Sequence, residues 1–253
     1  MAHYLLEMRQ FIRAVAFAAT LLVAPGSSPG LTPAQPPAAA SATAGAVAPA
    51  RPAAEFGLDA HEHAHGSGLA PGQGAAEFRA WLAAAPAHRA ELAAFQGRLA
   101  AEGVDRVVPL WQLVRTSSAW RQCAAAPFEV APRDTWDNIV ATLRFVRDEV
   151  VPAVGPVEAL SAYRNARLNA CSDGAPRSAH RLFFALDLTP VRAEVSRGAM
   201  IRGICAAHAR DGRAYETGLG FYSGRRFHVD SNGFRKWGPD GRGASSPCAT
   251  GIV

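Results

Sequence analysis

The chain predicts an α+β fold, with N-terminal helices packed on a small, mostly antiparallel sheet. Two observations predict it. Apolar residues recur at helical spacing between Ala75 and Gly103 and again between Asp134 and Val151. Short runs of strand length, bounded by Gly, Pro and Ser, follow only beyond residue 155.

The helices come first. Phe78, Trp81, Leu82, Leu92, Phe95 and Leu99 keep a helical period through an alanine-rich stretch that breaks at Pro86 and ends at Gly103. A second helix is expected from Pro109 to Arg121, with Leu110, Leu113, Val114 and Trp120 as its apolar face. A third starts at the N-cap residue Asp134 and runs to Val151, burying Trp136, Ile139, Val140, Leu143, Val146 and Val150. Then come a strand over 156–162, a short helix over 165–170 and an apolar strand over 182–188. A helix over 196–210 and strands over 217–223 and 226–231 follow, and the tail 234–243 is basic and glycine-rich.

The 182–188 run, Leu-Phe-Phe-Ala-Leu-Asp-Leu, carries one carboxylate. In a strand, Phe183, Ala185 and Asp187 share a face. A carboxylate in such a run is costly to bury unless it is paired, hydrogen-bonded or metal-bound. His180 stands just before this run, after the turn-like Ser172-Asp173-Gly174-Ala175-Pro176. His228 and Asp230 share a face of a later strand. Two neutral imidazoles and one carboxylate, His180, Asp187 and His228, form a plausible ligand set for Zn²⁺ with a fourth position open, which distinguishes catalytic from structural zinc. The sheet would then carry a zinc site.

Read together, Ser161-Ala162-Tyr163-Arg164, Leu168-Asn169, Gly174-Ala175-Pro176, Ser178-x-His180, Ala185-x-Asp187 and His228-x-Asp230 resemble the zinc D-alanyl-D-alanine carboxypeptidase family. These cell-wall metallopeptidases share a fold with lysostaphin-type enzymes and the hedgehog signalling domain. The resemblance covers residues 127–238. It implies zinc ligands at His180, Asp187 and His228, with Arg164 contacting the substrate carbonyl or carboxylate and Ser178 helping to hold the substrate peptide. It also implies hydrolysis of D-amino-acid-containing bonds in peptidoglycan peptides, at a stem terminus or a cross-link.

Two positions depart from the family pattern. Three residues after the first ligand the family generally has glycine, and this chain has Phe183, expected to narrow or reshape the cleft. Three residues before the last histidine many members place an acid, and this chain has Arg225, which cannot accept a proton. Asp230 is then the nearest alternative base, with Glu216 second; the competing role for Asp230 is to orient His228. The substitution at Arg225 also favours a second reading, a non-catalytic zinc-containing domain that binds the cell wall.

The rest of the chain frames the site. Arg9 and Arg13 precede an apolar run from Ala14 to Ala24, too short to span a bilayer and suited to a signal peptide over 1–24. A Pro/Ala-rich disordered linker is expected over 25–75, with an incidental chelator in His61-Glu62-His63-Ala64-His65, and the folded domain over 76–253. The chain is then periplasmic or secreted, with no stable membrane insertion. Cys123, Cys171, Cys205 and Cys248 form no C-x-x-C pair. In an exported chain they favour two disulfides, for which Cys123–Cys171 and Cys205–Cys248 is the preferred pairing. The net charge of +5 is almost all arginine, since Lys236 is the one lysine. Arginine's planar fork suits carboxylates, and no basic-aromatic pattern points to nucleic acid.

Overall fold

The computed structural model describes residues 68–251, which belong to one compact unit. The signal-peptide run, most of the expected linker and the His61–His65 cluster lie outside the described residues. Residues 68–75, expected to be linker, are part of the folded body. Gln73 is fully buried, and its carbonyl and side chain bond Arg115 and Pro127.

Helices α1 (Ala75–Ala84) and α2 (Pro86–Ala101) meet at an extended Ala85, with Pro86 opening α2 where its missing N–H costs nothing. The apolar residues expected on their inner faces are buried, except Trp81, which packs partly exposed. The helix expected over 109–121 does not form. A single 3₁₀ turn, Leu110–Gln112, is followed by an extended segment in which Arg115 bridges to Phe128. Long-range bonds outcompete the local helix here. Arg115 is fully buried and donates to Gln73 O, Ala159 O and the Glu158 carboxylate, while Val114 and Thr116 pair their backbone with Glu129 and Pro127.

The helix expected from Asp134 is also corrected. Asp134 lies within a 3₁₀ turn, Arg133–Thr135. Helix α3 (Asn138–Phe145) continues into a π turn, Val146–Val150, and a last turn α4 (Val151–Val154) that ends at Gly155 with φ +79°. Pro152 explains the change of pitch. It has no N–H to give and its ring would press on the carbonyl four residues back, which the wider π turn accommodates. The expected apolar face is buried throughout.

Five strands form one sheet in the order β1-β2-β4-β3-β5. They are β1 (Val157–Ser161), β2 (Ala185–Pro190), β3 (Gly218–Phe221), β4 (Phe227–Asp230) and β5 (Arg235–Trp237). All neighbours are antiparallel except β3 and β5, which run parallel. The tail read as basic and glycine-rich therefore contributes an edge strand. Between the strands lie α5 (Ala166–Cys171), capped by the Asn165 side chain, and α6 (Arg197–Asp211), capped by Ser196. A final turn, α7 (Pro247–Thr250), follows β5.

Register divides the sheet into two faces. Leu186, Val229 and Leu219 align across β2, β4 and β3, as do Leu188, Phe227 and Phe221, and all six join the hydrophobic core with the helices. The other face aligns Ala185, Asp230 and Gly218, then Asp187, His228 and Gly220. The outer backbone of β1 is covered by side chains. Gln112 accepts from Ala159 N–H at 3.0 Å, and Arg115 donates to Ala159 O at 2.7 Å.

Both expected disulfides are present. Cys123–Cys171 fixes the end of α5, and Cys205–Cys248 pins α7 to α6. Each closes a loop of more than forty residues, for which the chain-entropy model gives about 4 kcal/mol. Peptide mapping of the non-reduced protein by mass spectrometry should recover these two pairs; free thiols or any crossed pair would contradict the fold.

Candidate metal centre

His180, Asp187 and His228 converge, and their ligand atoms lie within 4.8 Å of one another. His180 comes from a 3₁₀ turn, Ala179–Leu182, while Asp187 and His228 face each other across β2 and β4. Asp187 Oδ1 is 3.4 Å from His180 Nε2 and 3.2 Å from His228 Nδ1. Ligands at Zn–N and Zn–O distances of about 2.0–2.1 Å in a tetrahedron stand roughly 3.3 Å apart, so both distances suit a shared ion.

The second nitrogen of each ring is already committed. His180 Nδ1 lies 2.5 Å from Ala162 O, and His228 Nε2 lies 2.7 Å from Asp230 Oδ2. The Ala162 carbonyl can only accept, so His180 carries its proton on Nδ1 and turns the Nε2 lone pair toward the cluster, as metal-binding histidines usually do. His228 faces a carboxylate at each nitrogen, Asp230 and Asp187, which push its pKa up despite burial. Burial and the neighbouring Arg164 push His180 down to about 4, keeping it neutral. The three side chains could hold a divalent metal in place of the contacts they now make, Arg164 Nη2 on His180 Nε2 at 3.1 Å and Asp187 Oδ1 on His228 Nδ1 at 3.2 Å.

The motif residues before the cluster build its cradle. Ala162 supplies the carbonyl for His180, and Arg164 N–H donates to His180 O. Buried Asn169 donates to Gly174 O and Ala175 O, shaping the turn ahead of Ser178. A side chain on Gly174 would collide with the Asn169 amide. Ser178 occupies the cap position of the His180 turn without making a side-chain capping bond.

Asp187 is fully buried and carries four polar contacts besides the His180 approach. Arg164 and Arg226 donate to Oδ2 at 2.5 and 2.7 Å; Tyr222 donates to Oδ1 at 2.9 Å, the oxygen that His228 also faces. Burial opposes its charge, but the guanidiniums of Arg226 and Arg164 hold the carboxyl well below its usual range. Burial and the adjacent Asp187 charge push the Tyr222 phenol up, so it stays a donor. Neither Tyr222 nor Arg226 was expected at the site. Arg226, two residues before His228, was legible by strand alternation as a neighbour on the same face; Tyr222 had no such signal.

The strand containing Asp187 starts later than expected. Phe183 takes a left-handed conformation, φ 59°, and Leu182 is exposed. Phe183 consequently leaves the ligand face and packs against Phe95 and Tyr163 in the core, so it does not narrow the cleft. The left-handed backbone is the physical reason glycine suits this position.

Asp230 lies behind His228. It is fully buried, accepts from Asn232 N–H at 2.8 Å, and is gripped by Arg235 at 2.7 and 2.9 Å. Burial again opposes its charge, yet His228 and Arg235 hold the carboxyl below its usual range. Arg225 donates to Arg192 O and Val195 O, securing the segment ahead of α6. Glu216 is exposed on the turn before β3 and stands outside the cluster.

Comparison of the chain with family models, curated proteins and solved structures finds no match.

Proposed function

We propose that the protein is a zinc-dependent hydrolase of D-amino-acid-containing peptide bonds in peptidoglycan stem peptides or cross-links, working in the periplasm or outside the cell. The single observation that carries the reading is the cluster of two imidazole nitrogens and one carboxylate oxygen, of His180, His228 and Asp187, within 4.8 Å of one another. Three protein ligands leave a position free for a reactant. Zinc, when bound there, supplies Lewis acidity toward a carbonyl and lowers the pKa of water.

The chain's own residues have separate tasks. Arg164 and Arg226 occupy Asp187 Oδ2, so Oδ1 alone faces the two histidines. Arg164 Nη2 is also 3.1 Å from His180 Nε2, placing a fork beside the ligand atoms where it can take a substrate carbonyl or carboxylate. Ser178, at the head of the same turn, is the proposed contact for the peptide. Three guanidiniums, of Arg164, Arg226 and Arg235, face two carboxylates, of Asp187 and Asp230. The excess positive charge favours an anionic substrate such as a stem peptide. Asp230 serves to orient His228, because its bond is to the nitrogen turned away from the cluster.

The same fact favours a second reading. With Asp230 committed and Arg225 directed elsewhere, the cluster has no free carboxylate base among the described residues. A non-catalytic, zinc-containing wall-binding domain would have this composition. Incubating the mature protein with defined muropeptides, with and without a chelator, separates the two. Chelator-sensitive release of a fragment supports the hydrolase; binding to cell wall without release supports the binder.

The purified protein should contain about one zinc per chain, and His180→Ala should lose it when measured by elemental analysis. Equal metal in both proteins would remove the site. Asp230→Asn should weaken zinc binding by about 10–100-fold, as changes behind a metal-binding histidine typically do, and excess zinc should restore any hydrolysis. A drop in hydrolysis of about 10²–10⁴-fold at normal zinc content would instead make Asp230 a general base.

A further inference from the structure

Strand β5 reaches the metal centre although another strand lies between. Arg235 pairs with Gly218 of β3, and Trp237 with Gly220. Their side chains cross over β3 to residues of β4. Arg235 closes a bidentate pair with Asp230, and the Trp237 ring stands 5.4 Å from His228 and 5.2 Å from Tyr222. The crossing is possible only because β3 presents hydrogen atoms on that face. A Cβ on Gly218 would collide with the Asp230 carboxylate and the Arg235 guanidinium; one on Gly220 would fall inside the Trp237 ring.

Arg235 has no competing task. Its Nη1 also donates to Asn232 O and Gly233 O, so the fork is clamped to the turn that follows Asp230. Arg235 and Asn232 together satisfy both Asp230 oxygens, leaving Oδ2 fixed in line with His228 Nε2. Removing Arg235 would leave a buried carboxylate with one strong partner fewer, free to turn from the imidazole.

We infer that Arg235 is a positioning residue of the metal centre, acting through Asp230 to hold His228 with its Nδ1 lone pair toward the cluster, and that Gly218 and Gly220 are glycines to let β5 do so. This rests on the metal reading of His180, Asp187 and His228, and extends the site to a strand that contributes no ligand.

The test uses the full mature chain in two measurements. In the first, zinc affinity is read by competition with a chromophoric chelator. Arg235→Met and Gly218→Ala should each bind zinc about 10–100-fold more weakly, with far-UV dichroism unchanged. Arg235→Lys, which keeps the charge but loses the fork, should fall between Arg235→Met and the native chain. In the second, the tautomer of His228 is read by long-range ¹H–¹⁵N correlation in zinc-free protein, at a pH where the ring is neutral. The native chain should show the proton on Nε2, and Arg235→Met a mixture. Native affinity in Arg235→Met, or an unchanged tautomer, would overturn the inference. If Arg235→Met does not fold, Arg235→Lys decides, and native affinity there overturns it equally. A native chain that takes up no zinc defeats the metal reading, and the tautomer measurement then judges Arg235 by itself.

Discussion

A fully buried carboxylate is the constraint around which this sheet is organised. Desolvating Asp187 without compensation would cost several kcal/mol, and the fold answers from four directions. Arg164 arrives from the segment after β1, His228 from β4, Tyr222 and Arg226 from the turn before β4, and His180 from the turn before β2. Each of these positions is set by backbone pairing. The β2–β4 register places His228 opposite Asp187, and a backbone bond joins Arg164 to His180. A His–Asp–His cluster spread over almost fifty residues is thereby held within a few ångströms.

Much of this was legible in the sequence, and for identifiable reasons. Alternation in the strands follows from a period of two that tertiary contacts rarely override, so Asp187, His228 and Asp230 fell on one face as expected. The disulfide pairing followed from where the cysteines lay relative to the expected helices. The Ser161–Arg164 and Leu168–Pro176 motifs mattered because their backbone groups and the Asn169 amide build the cradle of His180.

The misreadings share a cause. Residues 109–121 have a helical pattern, but a buried arginine and backbone pairing at a distance of a dozen residues or more draw the segment out. Phe183 looked like a strand residue because it is apolar and lies in an apolar run; its left-handed φ appears only when the turn around His180 must hand over to β2. The tail was unreadable as a strand because its partner is β3, parallel and across a hairpin. Its meaning lies in Gly218 and Gly220, whose missing side chains acquire a role only once Arg235 and Trp237 lie above them.

Open sheets have two edges, and each is a template on which a foreign strand can build. Here neither edge offers one. Along β1, the Gln112 amide and the Arg115 guanidinium already occupy the N–H and C=O of Ala159 that an incoming chain would need. Along β5, the strand is three residues long and displays Lys236, whose charge would have to shed water to be covered. Both edges of the sheet thus carry the features that discourage strand addition by another chain.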